Sequence, residues 1–324
     1  MNNGPDRVQV PGLSVVIPVY NSQDSLSPLV GALAGTLPAL SQQFEVILVN
    51  DGSKDQSWEV VRALAQQYAW VQGIDLMRNF GQHNALLCGL RAARYNIVVT
   101  MDDDLQHPPG EIGKLLARLA EGYDLVYGAP LRLAHTPVRN WLSRSIKAAL
   151  ARATGLAHIE HASAFRALRG ELRQAFAEYR SPNLMLDALL GWGAARIGVV
   201  QVNIAPRTIG RSNYNFRKLF NQTMLLVAGF TTGPLRLASV VGLLFAVFGV
   251  AVFIYVVVQF LRAGSVPGFP FLASIIALFS GAQLFALGIM GEYLARIFDR
   301  NLDRPTYVVR STLRGSSTRP GGQP

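Results

Sequence analysis

The chain has a single cysteine, Cys88, among 324 residues. That excludes an internal disulfide framework and any zinc site built on several thiolates. Charge is also scarce: only 15% of residues are Asp, Glu, Lys or Arg, against roughly 25% in an ordinary soluble domain. There is too little polar surface to keep the whole chain in water. Acidic residues are the scarcer sign, 20 against 30 Lys and Arg, leaving a formal net charge of +10. No GxGxxG or GxxxxGK(S/T) follows the strand-like runs, so a dinucleotide fingerprint or a P-loop is not supported. HExxH is missing, which leaves His158 and His161 without a metal-site pattern. Met1–Arg7 holds no apolar h-region, so no signal peptide is expected. What the chain does have is apolar residues, half of its length, with a mean hydropathy of +0.25. Disorder and a small stapled fold are excluded, and part of the chain is expected in a membrane.

The apolar excess lies near the C-terminus. Leu237–Leu261 and Phe269–Gly291 carry no charge until Glu292, and each is long enough for a helix crossing roughly 30 Å of hydrocarbon. Arg262–Gly268 forms a short turn between them, so the pair reads as a transmembrane hairpin over 237–292. Arg207, Arg211, Arg217, Lys218 and Arg236 precede the hairpin; Arg296, Arg300, Arg304, Arg310 and Arg314 follow it. The positive-inside rule puts both termini and the whole N-terminal region in the cytoplasm. Clustering beside the spans also accounts for the +10 without a nucleic-acid partner. Phe216, Leu219, Phe220, Thr223, Leu226, Val227 and Phe230 recur at helical spacing with basic and amide residues between them. This segment reads either as a helix in the membrane interface or as an amphipathic helix packed on a soluble domain. Residues 293–324 read as a basic cytoplasmic tail, disordered from Ser311 on.

Residues 1–205 alternate between two periods. Leu13–Val19, Phe44–Val49 and Ile97–Met101 read as buried strands, with helical patterns around Ser25–Leu40, Trp58–Tyr68 and Asn84–Arg94. Alternation of this kind predicts an α/β domain with a largely parallel sheet, whose ligands bind at the C-terminal strand ends. The first strand ends in Pro18-Val-Tyr-Asn21 and the second in Asn50-Asp-Gly-Ser53. There Asp51 can accept hydrogen bonds from a nucleoside, although Asp-Gly is equally a common turn. The third ends in Thr100-Met-Asp-Asp-Asp-Leu-Gln-His-Pro-Pro109. In an extended chain residues two apart share a face, so Asp102 and Asp104 can hold one cation and Gln106 can add a carbonyl oxygen. Mg²⁺ or Mn²⁺ suits such hard oxygen donors; the alternative is an acidic turn capping the helix near Pro109. Two basic sets can neutralise phosphate: Arg132 and Arg139 with Arg166, and Arg207, Arg211 and Lys218.

Together these motifs, with Val16-Ile-Pro-Val-Tyr-Asn21, Arg78-Asn-Phe-Gly-Gln-His83, Gly210-Arg-Ser-Asn-Tyr214 and Thr231-Thr-Gly-Pro-Leu-Arg236, resemble GT-A-fold inverting glycosyltransferases of family 2. The similarity is to the polyisoprenyl-phosphate branch, which carries a C-terminal membrane hairpin, and it covers nearly the whole chain. The resemblance implies a metal-dependent enzyme of the bacterial inner membrane. Such an enzyme transfers sugar from a UDP-linked donor to undecaprenyl or another polyprenyl phosphate, in modification of lipid A or another envelope glycan. It further implies a nucleotide site of Pro18, Tyr20, Asp51, Asn79, Gly81, Asp102 and Asp103. Metal ligands would be Asp102, Asp104 and Gln106. The acceptor side would comprise Arg132, Arg139, Arg207, Ser212, Arg217 and Lys218, with Asp102, Asp104, Arg132 and Arg139 serving the chemistry. Homo-oligomers, as tetramers, are also implied. Three positions depart from the pattern: Ser22 where relatives often have Glu, Asn50 where many have Asp, and Ala164 where glucosyl-transferring relatives have Asp. Processive polysaccharide synthases share the core, but their QxxRW motif is missing here. A glucosyl- or mannosyltransferase and a non-catalytic membrane scaffold are the competing readings.

Overall fold

A computed structural model describes residues 9–130, 162–180, 185–205, 233–263, 268–302 and 304–315. Strand β1 (Leu13–Val19) is buried along its whole length. Its unbroken apolar sequence is what a central strand covered on both faces requires. Val15, Ile17 and Val19 point into one apolar cluster and Val16 into the other, the period-two alternation of a pleated strand. Pro18 is tolerated because the ladder to β4 ends at Val16 and Thr100, before the missing N–H would be needed.

β1 pairs parallel with β2 (Phe44–Asn50) on one side and with β4 (Ile97–Thr100) on the other; β3 (Val71–Leu76) continues the parallel set beyond β2. β5 (Leu125–Pro130), β6 (Arg166–Arg169), β7 (Ile197–Val202) and β8 (Val309–Arg314) complete a sheet ordered β7-β5-β6-β4-β1-β2-β3-β8. β6 is antiparallel to β4 and β5, and β8 is antiparallel to β3. The remaining strands run one way, so the expected mostly parallel α/β sheet is observed.

Helix α1 (Gln23–Leu40) buries Leu26, Leu29, Val30, Leu33, Leu37 and Leu40, a stripe at helical spacing. It shares a core with α2 (Ser57–Gln67) and α4 (Ile112–Ala120), while α3 (Gln82–Ala92) and α5 (Leu186–Gly193) cover the opposite face. Cys88 lies in that second core, where burial pushes its thiol up to about 12. It is a packing residue rather than a nucleophile.

The chain divides into two units, Met1–Asn213 with Arg304–Pro324, and Tyr214–Asp303. The second contains α6 (Gly233–Ala263) and α7 (Phe269–Asn301). Apolar stretches Ala238–Arg262 and Leu278–Ala295 make both helices long and apolar enough to cross a membrane. Their exposed surface includes Leu243, Phe253 and Leu284, a composition suited to lipid and costly in water. Gly249 lets Phe279 approach: an added Cβ would stand 2.9 Å from that ring. Helix α7 continues past Gly291 to Asn301, beyond the apolar run read from sequence.

The C-terminal tail differs from its expected disorder. Ser311–Arg314 belongs to β8, because the open edge of β3 offers a row of unpaired backbone groups to any chain that reaches it. The segment 215–230, with Arg207, Arg211, Ser212, Arg217 and Lys218, lies outside the described residues, as do Arg132, Arg139, His158 and His161.

Candidate active site

Strands β4, β1, β2 and β3 lie side by side and parallel, so their C-terminal ends deliver four loops to one place. Pro18, Val19 and Tyr20 follow from β1, Asp51 from β2, Asn79, Gly81 and Gln82 from beyond β3, and Asp102, Asp103 and Asp104 from β4; together they line a cleft of about 310 Å³. All seven residues expected at a nucleotide are among them.

Asp51 is held in a fixed orientation. Its N–H donates to the Val19 carbonyl at 2.9 Å, and its carboxylate accepts from the N–H groups of Phe80 (2.7 Å) and Gly81 (2.9 Å). Burial raises its pKa, and the two N–H donors work against that rise. Each carboxylate oxygen has a second lone pair, so Asp51 can still accept from a ligand in the cleft. The next residue must be glycine. Gly52 has φ +63, and a Cβ there would stand 2.5 Å from Arg78 C and Asn79 N. Gly52→Ala is expected to cost about 2 kcal/mol or more through left-handed strain and backbone displacement. The melting temperature of the purified protein should fall by about 4–8 °C; an unchanged melt would show that the turn can relax.

The aspartates of the β4 loop divide their roles. Asp103 is half-buried at the cleft and tied to the β1 loop: it accepts from the Tyr20 N–H at 3.2 Å and from the Ser22 hydroxyl. Burial raises its pKa, with the Ser22 and Tyr20 donors opposing. Ser22 therefore suits its neighbour, since a glutamate there would add a second anion near Asp103. Asp102 accepts from the Gln82 amide at 2.6 Å, and Asp104 accepts from the Gln106 N–H at 3.1 Å. Both carboxylates line the cleft. Their donor set is two hard oxygen ligands, which fits a divalent ion whose remaining positions are filled by substrate phosphate and water. Among the described residues there is no group of three or more His, Cys, Asp or Glu that could hold a metal by itself.

Gln106 does not line the cleft. Leu105 adopts φ +61, which ends the extended alternation, and the Gln106 carbonyl accepts from the Ala205 N–H at 2.9 Å. The next residue, His107, is buried against Phe165 with ring centroids 5.1 Å apart, and burial lowers its pKa while Asp104 opposes the shift.

Arg166 must be removed from the phosphate-neutralising set. Its side chain is fully buried; Nε donates to Thr100 Oγ1 at 3.0 Å and Nη1 donates to Asp187 Oδ1. Tyr127 Oη donates to the same Asp187 oxygen at 3.1 Å. Burial works against the Arg166 charge, but Asp187, Tyr127 and Asp102 together outweigh it and the pKa stands above the ordinary value. Thr100 Oγ1 also donates to the Ala164 carbonyl at 2.6 Å, which puts position 164 against the end of β4. Asp187 and Gln82 were missed by sequence reasoning. A single carboxylate in the apolar stretch Leu186–Gly193 was the available signal for Asp187, because an acid there needs a buried partner.

Residues 14–176 match Glycosyl transferase family 2, and the chain belongs to that family. The fold is the GT-A fold. The particular relatives it resembles agree with one another in name. It is 34% identical over 312 residues to the undecaprenyl-phosphate 4-deoxy-4-formamido-L-arabinose transferase of Shewanella sediminis, covering 95% of this chain and 94% of that protein. It is 36% identical over 305 residues to the same-named transferase of Proteus mirabilis, covering 93% and 94%. Among solved structures, glucosyl-3-phosphoglycerate synthase from Mycobacterium tuberculosis in complex with Mn²⁺, UDP and glucosyl-3-phosphoglycerate superposes with a TM-score of 0.50. That match has 22% identity and covers 67% of this chain and 78% of the other.

Proposed function

We propose that this glycosyltransferase moves a sugar from a UDP-linked donor to undecaprenyl phosphate, or a similar polyprenyl phosphate, at the cytoplasmic face of a bacterial inner membrane. The observation that carries the reading is the meeting of Asp51 with Asp102 and Asp104 in one cleft, on a chain that also has two helices apolar enough to span a bilayer. The relatives' shared name supplies the acceptor and favours a 4-deoxy-4-formamido-L-arabinosyl donor in lipid A modification.

Asp51 accepts a hydrogen bond from the base, while Pro18, Tyr20, Asn79 and Gly81 close around the nucleoside. Asp102 and Asp104 would hold Mg²⁺ or Mn²⁺, and Gln106, which does not line the cleft, is left out of the ligand set. When bound, the ion supplies Lewis-acid stabilisation of the departing diphosphate. An oxygen of the acceptor phosphate attacks the anomeric carbon from the face opposite the leaving group. The new carbon–oxygen bond forms as the bond to the β-phosphate oxygen breaks, releasing UDP and inverting the centre. A phosphate monoester is already largely dianionic at pH 7, so this step needs no general base. Orientation and charge neutralisation remain, and we assign the latter to Arg132 and Arg139. Arg207, Ser212, Arg217 and Lys218 are proposed to meet the lipid phosphate and headgroups. The enzyme is proposed to work as a homo-oligomer, a tetramer, with no nucleic-acid partner.

The test is transfer of radiolabelled sugar into the organic phase by purified protein given undecaprenyl phosphate. The donor panel holds UDP- and GDP-hexoses and the UDP-linked formamido-arabinose, with Mg²⁺, Mn²⁺ or EDTA. Lipid-linked label that EDTA abolishes, highest with the arabinose donor, is expected. A hexose as the preferred donor would overturn the sugar assignment, and silence with every donor would overturn the activity.

A further inference from the structure

The strand that follows α7 returns to the sheet beside the loops that build the donor side of the cleft, and one arginine on it connects to both. Arg310 Nη2 donates to the Met77 carbonyl at 2.9 Å, and its Nη1 lies 3.4 Å from Asp75 Oδ2. Met77 in turn donates its N–H to the Val308 carbonyl at 2.9 Å. Met77 opens the loop whose Phe80 and Gly81 N–H groups orient the Asp51 carboxylate. The other arm runs through β2. Asn50 Nδ2 donates to Asp75 Oδ1 at 2.7 Å, and Asn50 Oδ1 accepts from the Ser53 N–H at 3.4 Å. Asp51 is thus flanked on both sides by groups that lead back to Arg310.

Position 50 has a chemical reason to be asparagine. Asp75 is buried, and a carboxylate at position 50 would face it anion to anion, whereas the amide donates. Arg310 supplies the one positive charge bonded to Asp75 among the described residues. The register break between Asp75 and Leu76 opposite β8 coincides with this contact and redirects the chain into the Met77–Gly81 loop, as a bulge does. Below it Tyr307 packs in the α3 core beneath Arg91, 5.7 Å from the ring centroid, and buried Thr306 fixes the start of the segment.

We infer that Arg310 is a positioning residue for donor binding: it sets the Asp51 turn and the Met77–Gly81 loop, making β8 part of the nucleotide site. The inference rests on Asp51 being the base-binding carboxylate. It also makes the segment directly after α7 a determinant of donor affinity, although none of its residues lines the cleft.

The experiment titrates UDP with Mg²⁺ into the full-length protein in detergent by calorimetry, and measures KM for donor and for lipid separately. Arg310→Gln is expected to weaken UDP binding and raise the donor KM about fivefold, the range for a half-exposed pair and one hydrogen bond. The lipid KM should not move. Arg310→Lys restores the charge and should recover most of the affinity. Asp51→Ala serves as the reference: if it binds UDP like the wild type, the donor-site reading itself fails. If Asp51→Ala loses UDP while Arg310→Gln keeps wild-type affinity, or if Arg310→Gln raises both KM values alike, the positioning role is overturned. Should Arg310→Gln not accumulate as folded protein, Asp75→Asn keeps the acceptor for Asn50 and removes only the charge. It should give the same donor-selective loss, and wild-type donor affinity in it would equally overturn the role.

Discussion

Asp104→Asn lowers the rate of sugar transfer by about three orders of magnitude, the scale of losing charge stabilisation on a leaving group, while the protein remains folded. Asparagine is the informative replacement. The Asp104 carboxylate accepts from the Gln106 N–H at 3.1 Å, and an amide oxygen preserves that bond and the turn through Leu105. Only the anionic charge is removed. Alanine would remove the acceptor too and confound a lost ligand with a disordered loop. The measurement is single-turnover transfer across a Mg²⁺ or Mn²⁺ titration, with a thermal melt in parallel. Two results together establish the assignment: an unchanged melt, and a rate that higher metal concentration recovers in part. A rate within about tenfold of wild type would remove Asp104 from the metal, since loss of one charged ligand costs more than that. The corresponding change at Asp103 should behave differently. Its carboxylate receives Tyr20 N–H and the Ser22 hydroxyl, so Asp103→Asn should act through the shape of the β1 loop and leave the metal dependence intact.

How far the sequence discloses this molecule depends on whether a residue's role is set locally. β1 and β2 are legible because burial on both faces demands uninterrupted apolar residues, as in Leu13–Val19. β8 is illegible for the opposite reason. Val309-Arg-Ser-Thr-Leu-Arg314 is polar and lies mostly exposed at a sheet edge, and its partner β3 is more than two hundred residues earlier in the chain. No local pattern distinguishes such a segment from a disordered basic tail. β3 is obscured in a related way, since Asp75 interrupts its apolar run and is buried only because Asn50 and Arg310 meet it there. In the site, Asp51, Asp102 and Asp104 are legible from their place after strands. The alternation argument fails one step later at Gln106, because a leucine at positive φ is uncommon and nothing in the sequence announces it. The donors that orient Asp51 are backbone N–H groups, which every residue but proline has. Only the fold says that those of Phe80 and Gly81 are the ones used.

The largest stability effect is expected at Arg166, the residue whose role sequence reasoning misjudged. Arg166 and Asp187 have side-chain exposures of 2% and 12%, so neither charge can turn to water if its partner is lost. Arg166→Met would leave the mostly buried Asp187 carboxylate with the Tyr127 hydroxyl at 3.1 Å as its remaining hydrogen-bond donor among the described residues. It would also strip Thr100 Oγ1 of its bond from Nε. Breaking a buried pair from one side costs about 3–5 kcal/mol, a fall in melting temperature of about 10 °C or more for a domain of this size. The double variant Arg166→Met with Asp187→Leu removes both charges and should recover most of that loss, since replacing a whole buried pair by apolar side chains is close to neutral. Thermal melts of the two single variants and the double variant form the cycle that isolates the coupling. A double variant no more stable than Arg166→Met would show that Arg166 acts by packing rather than by charge. The pair also bears on the site itself. Thr100 ends β4 immediately before the acidic loop, and the Arg166 charge attracts Asp102. The double variant should therefore regain stability without regaining full transfer, because nothing in it restores the cation behind Asp102. A separation between recovered melting and unrecovered rate would place Arg166 in the electrostatics of the cleft as well as in the core.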